Sequence, residues 1–171
     1  VHIPVCVTNG RESVSILRRY LDEHYGDKSI FVLYDVMIIE SEICQLLMKR
    51  AGLNFSFGIS ARKESKSISG VLDVFYSMQR INLARDSVLI SIGGGVVGDV
   101  AGFCASLWYR GIDLIHIPTT LLAMVDSCLG GKTAVNFLDT INAVGTYKHP
   151  KSIFINADFL DTLPRRDVGS G

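Results

Sequence analysis

The stretch ISIGGGVVGDVAGFCASLWYRG, Ile90 to Gly111, decides how this chain folds. The apolar run Val88-Leu89-Ile90-Ser91-Ile92 reads as a buried strand, and Val97 to Trp108 has helical spacing. Between them stand Gly93, Gly94 and Gly95, three residues that weaken any strand or helix containing them. Gly93, Gly95 and Gly98 satisfy G-x-G-x-x-G, and a strand before the motif with a helix after it is the context that gives it meaning. A turn without Cβ atoms lets a phosphate approach main-chain N–H groups at a helix N-terminus, where the dipole favours an anion. The same glycines also suit a tight turn with close helix–strand packing.

Outward from this turn, strands and helices alternate. Val5 to Thr8, Ser29 to Tyr34, Phe55 to Ile59, Ile112 to Ile117 and Ser152 to Ile155 read as strands. Val14, Leu17 and Leu21 mark one helix, and Glu40 to Arg50 a second, stopped by Gly52. Ser67 to Arg80 is a third, with Ile68, Val71, Leu72 and Phe75 expected inward. Thr119 and Thr120 are placed to cap a short helix through Val125. This order predicts an α/β domain: a Rossmann-like, doubly wound, mostly parallel sheet covered on both faces. No linker or internal repeat interrupts it, so residues 1–171 are expected to form one domain.

Composition narrows the function. The 171 residues are 48% hydrophobic and carry 17 basic and 17 acidic side chains, so no net field favours nucleic acid or an anionic membrane. No apolar run reaches the roughly 20 residues of a membrane span. Cys6, Cys44, Cys104 and Cys128 are widely spaced among apolar neighbours, which predicts reduced thiols and a cytoplasmic location. The four histidines show no metal-ligand spacing.

Two details separate the glycine turn from the usual dinucleotide fingerprint. It falls in about the fourth strand–helix unit, and no acidic residue follows a second strand at the usual distance of roughly 20 residues. Asp99 instead follows the last glycine, suited either to a cofactor ribose or amide or to the helix dipole. The later GGKT, Gly130 to Thr133, is not a phosphate-binding P-loop, because Asp126 stands where that motif needs its first glycine. Lys132 remains a point charge for a phosphate or carboxylate, or a solvated loop lysine.

The segments GGGVVGDVAGF, YRGIDLIHIPTTLLAMVDSCLGGKTAVN and FLDTLPRRDVGSG together resemble the 3-dehydroquinate synthases, nearly continuously from Ser87 to Gly171 and more loosely before it. The resemblance implies an NAD-dependent cyclisation of a sugar phosphate in the shikimate pathway, with a divalent metal (zinc or cobalt). It implies that Gly95, Val96, Val97, Gly98, Asp99, Thr119 and Thr120 contact NAD. Lys66 belongs to the cofactor side, Phe159, Leu160, Asp161 and Thr162 line the adenosine side, and Asp35 is a ribose partner. Asp126, Lys132 and Asn142 would face substrate and nicotinamide. Arg110 matches an arginine that reaches the neighbouring subunit's substrate phosphate, which implies a homodimer. Without a dimer, Arg110 reads as an exposed turn residue, and Asp126 can equally bond nearby amides.

Two positions depart from the family pattern. Ile141 stands where a lysine precedes Asn142, and Lys63 where a glutamate precedes Lys66. The family's metal ligands lie in a C-terminal helical domain beyond Gly171, so the chain is expected to be the cofactor half and inactive alone. The alternatives are a related sugar-phosphate cyclase and a non-catalytic NAD-binding remnant.

Overall fold

The computed structural model describes residues 3–50 and 52–163. Pro164 to Gly171, the end of the last family-like segment, lie outside the described residues. The elements are β1 (Val5–Thr8), α1 (Glu12–Tyr25), β2 (Ile30–Asp35), α2 (Glu42–Arg50), β3 (Phe55–Ile59), α3 (Ile68–Arg80), β4 (Val88–Gly93) and α4 (Gly95–Leu107). There follow β5 (Asp113–Pro118), a π-type turn of helix at Ala123–Ser127, β6 (Lys132–Phe137), β7 (Thr140–Tyr147) and β8 (Ser152–Asn156). Six strands pair in the order β1-β8-β5-β4-β2-β3, every pair parallel.

Alternation along the central strands divides the core. Val32, Ile90, Ile92, Ile115 and Ile117 pack with α1 and α2 through Val14, Leu17, Leu21, Cys44 and Leu47. Phe31, Leu33, Leu89 and Leu114 face the other way, against Val71, Val74 and Met78 of α3 and Val97, Val100 and Ala101 of α4. All six residues of β4 are buried, as a strand covered on both faces requires. The doubly wound expectation therefore holds.

Details differ from the sequence reading. Leu72 is 47% exposed, because the inward stripe of α3 runs through Val71, Val74 and Met78, and Leu72 falls one step off it. Ser67 caps this helix, its hydroxyl accepting from the Gly70 N–H at 3.2 Å, a bond of a type that contributes about 1 kcal/mol. The sequence reading missed β6 and β7 entirely. They form an antiparallel hairpin with a two-residue turn at Leu138-Asp139, and the hairpin lies on α4. Gly102 makes this close approach possible: a Cβ there would stand 3.0 Å from the Thr133 Cβ. The Thr133 hydroxyl fastens the contact by donating to the Asp99 carbonyl at 2.7 Å. Covered by sheet on one side and hairpin on the other, α4 is apolar nearly all round.

Candidate functional site

The strand order creates a crevice. From β2 the chain turns through α2 to the edge strand β3, whereas from β4 it turns through α4 to β5 on the other side. The connections diverge at the carboxyl ends of β2 and β4, the place where open α/β sheets bind ligands. Asp35 ends β2 and Gly93 ends β4.

The glycines have separate duties. A Cβ on Gly93 would lie 2.6 Å from the Val97 side chain, and one on Gly94 would lie 2.9 Å from Thr120 Cγ2. Both are required by packing. A Cβ on Gly95 would meet nothing closer than Ser127 Oγ at 3.4 Å, so the fold itself does not demand glycine there. Gly94 is the N-cap of α4 and supplies no side-chain acceptor, leaving the first N–H groups of the helix for another partner. Thr119 donates its N–H to the Gly93 carbonyl, and the Thr120 hydroxyl caps the following turn by accepting from the Ala123 N–H at 3.3 Å.

Beside this helix start lies a polar cluster. The Lys66 ammonium is 2.5 Å from the Asp99 carboxylate and donates to Asn142 Oδ1 at 2.6 Å. Burial pushes the Asp99 carboxyl above the usual carboxylate range, against the opposing pull of Lys66 and the Ala134 amide. Asp99, Asp126, Lys132 and Asn142 line one groove of about 430 Å³ between the π-type turn and the hairpin. Asp126 and Lys132 are exposed there.

Five other residues singled out from the sequence lie elsewhere. Asp35 is buried and accepts from the Met37 N–H at 3.0 Å, closing its own turn. Asp161 and Thr162 line a separate groove of about 370 Å³ with Gly10, Ser41 and Ile43. Phe159 is fully buried in the core beside α1 and α2, and Leu160 packs against that core. The Val97 side chain is likewise wholly buried, whereas Val96 and Gly98 are half-buried, and a Cβ on Gly98 would stand 3.8 Å from His116 Cε1.

Arg110 stands apart. It follows the far end of α4, a helix of 13 residues, about 20 Å long. That length separates it from the glycine turn of its own chain. Tyr109 and Arg110 both adopt left-handed backbone, φ 49° and 68°, which is costly for residues with a Cβ.

Sequence reasoning missed the buried pair beneath the turn. Ser91 and His116 are neighbours in register on β4 and β5, with Oγ and Nδ1 2.6 Å apart. His116 lines the narrow space under Gly93, Gly94 and Gly95 that Lys132 also borders. Burial lowers its pKa to about 4, so the ring is neutral at pH 7. The signal was a polar pair in adjacent apolar strands, visible only once their register is known. Among the described residues no three His, Cys, Asp or Glu side chains converge as a metal site, and no helix is long and apolar enough to cross a membrane.

The sequence profile of 3-dehydroquinate synthase N-terminal regions matches residues 56–170. A 3-dehydroquinate synthase of Alkaliphilus oremlandii is 38% identical over 159 residues, covering 92% of this chain and 44% of the relative. A crystal structure of 2-deoxy-scyllo-inosose synthase superposes with a TM-score of 0.84 at 28% identity, over 98% of this chain and 47% of the other. A second, complexed with carbaglucose-6-phosphate, NAD+ and Co2+, gives 0.82 at 27%, over 98% and 45%. The chain thus spans about half the length of the proteins it matches. With its fold, glycine turn and matched residues agreeing, the chain belongs to the 3-dehydroquinate synthase family.

Proposed function

We propose that this chain is the NAD-binding half of a sugar-phosphate cyclase, and that the whole enzyme is a 3-dehydroquinate synthase. The reaction converts 3-deoxy-D-arabino-heptulosonate 7-phosphate to 3-dehydroquinate and inorganic phosphate. The observation that carries the reading is the start of α4: backbone N–H groups without a side-chain cap, beside a glycine that packing does not require. These features fit a dinucleotide pyrophosphate. Bound NAD+ supplies a hydride acceptor that is regenerated within each turnover.

The chain's own groups bind and orient. Gly95, Val96 and Val97 present amides to the pyrophosphate, and Lys66, held by Asp99, adds positive charge beside them. Asp35 at the end of β2 is placed for a ribose hydroxyl through the oxygen that Met37 leaves free. Lys132 and Asp126 face the groove as opposite charges, suited to an anionic polyol, and Asn142 gives an amide for orientation. Arg110 serves the site of a second copy, since α4 holds it away from its own.

The metal does not fit the described residues alone, which contain no ligand cluster for it. We therefore propose that these 171 residues by themselves turn over no substrate. Calorimetric titration of the chain with NAD+, and assay for phosphate release with and without zinc, test both parts. Saturable one-site binding without phosphate release is expected. Absence of binding, or turnover by the purified chain, contradicts the corresponding part.

A further inference from the structure

We infer that Asn136 is a positioning residue that sets Lys66 and Asn142 in the groove. The hairpin ladder runs regularly from Lys132↔Tyr147 to Val135↔Val144, and its register shifts between Val135 and Phe137. Asn136 occupies that irregularity. Freed from its own ladder, it pairs instead with Ser67 of the loop before α3, and its N–H donates to the Lys66 carbonyl at 2.8 Å. Its side chain turns the other way along the hairpin: Oδ1 accepts from the Asn142 N–H at 3.0 Å. Asn142 adopts left-handed backbone, φ 54°, a conformation that needs a partner to hold it and that asparagine tolerates better than most residues.

One buried residue, 8% exposed, thus holds two segments, its backbone N–H the Lys66 carbonyl and its side chain the Asn142 N–H. Lys66 comes from the loop before α3 and Asn142 from β7, and their side chains meet at 2.6 Å where Asn136 binds both backbones. Lys66 in turn faces Asp99 on α4. The arrangement presents an ammonium and an amide at a set spacing beside the start of α4. That role in ligand binding rests on the NAD reading above, whereas the positioning of Lys66 does not.

Asn136→Ala removes the acceptor and keeps the backbone bond to Lys66, while Asn136→Asp keeps an acceptor oxygen. In the full chain, labelling of amines by an acylating reagent is read per lysine by mass spectrometry, with exposed Lys63 as the control from the same loop. Lys66 labelling is expected to rise about fivefold in Asn136→Ala and to return towards the parent rate in Asn136→Asp. Lys63 stays unchanged. NAD+ affinity, titrated on the same proteins, falls about tenfold in Asn136→Ala and is restored by Asn136→Asp. Equal Lys66 labelling in all three proteins overturns the proposal, as does unchanged NAD+ affinity in Asn136→Ala. A parent chain that binds no NAD+ contradicts the functional reading instead, and Lys66 labelling then decides the role of Asn136 alone.

Discussion

The Lys66 ammonium and the Asp99 carboxylate stand 2.5 Å apart, joining the loop before α3 to the second turn of α4. The pair is mostly sheltered, with side-chain exposures of 13% and 22%. Burial nevertheless holds the Asp99 carboxyl above its usual range, and Lys66 pulls it in the opposite direction. Lys66→Met is expected to destabilise the chain by about 1–3 kcal/mol, because it strands a sheltered carboxylate. Adding Asp99→Asn should recover part of that loss. Denaturant unfolding of the two single variants and the double variant measures the coupling, and strict additivity contradicts it.

His116 gives the stability a pH dependence. Its folded pKa, about 4, lies below the ordinary histidine value of 6.5. The unfolded chain therefore binds the proton first as pH falls, and stability is lost between about pH 6.5 and pH 4. Above pH 6.5 this contribution is fully present. A shift of this size corresponds to about 3 kcal/mol over the window. His116→Asn, which retains a partner for Ser91, should flatten this part of the profile. An unchanged acid limb in that variant assigns the loss to other groups.

Ile141 tests the departure from the family pattern. Its side chain is 67% exposed, so it contributes little to the core. Ile141→Lys should leave the melting temperature nearly unchanged, within about 0.5 kcal/mol of stability. An exposed charge contact contributes about 0.5–1 kcal/mol, so NAD+ or inorganic phosphate should bind about two- to fivefold more tightly at low salt. The gain should fade as ionic strength rises. A salt-independent change, or none, contradicts a cationic place beside the groove.

Much of this was legible in the sequence. Val88–Ile92, the glycines and the apolar run after them are strongly patterned, because a strand buried on both faces leaves no room for polar residues. The hairpin was not legible. Its two-residue turn puts Leu138 in left-handed backbone, φ 52°, where glycine or asparagine normally signals such a turn. Every residue of β7 is at least partly exposed, so it shows no apolar alternation either. Asp99 was legible from its place after the last glycine, and Lys66 and Asn142 from the family resemblance, but the contacts of Lys66 with Asn142 depend on the hairpin. Asn136 drew no notice because its role arises from a register shift that sequence patterns do not reveal.

The backbone at Arg110 offers a separate test. Its φ of 68° suits glycine, and among the described residues no hydrogen bond or ion pair of the exposed side chain repays the strain. Arg110→Gly should stabilise the isolated chain by up to about 1 kcal/mol. If arginine is kept for a second copy's ligand, the same variant should weaken inorganic phosphate binding to the associated protein. A destabilised variant would show that Arg110 serves the fold.

At Gly95 packing leaves room for a Cβ, whereas a bound pyrophosphate would not. Calorimetric titration of NAD+ into the parent chain and Gly95→Val, with melting temperatures measured alongside, separates ligand approach from folding. Gly95→Val is expected to stay folded, since a Cβ there meets only Ser127, its Oγ at 3.4 Å and its Cβ at 3.9 Å, and to lose measurable NAD+ binding. Equal affinity in the two proteins would contradict the assignment of this turn to the dinucleotide.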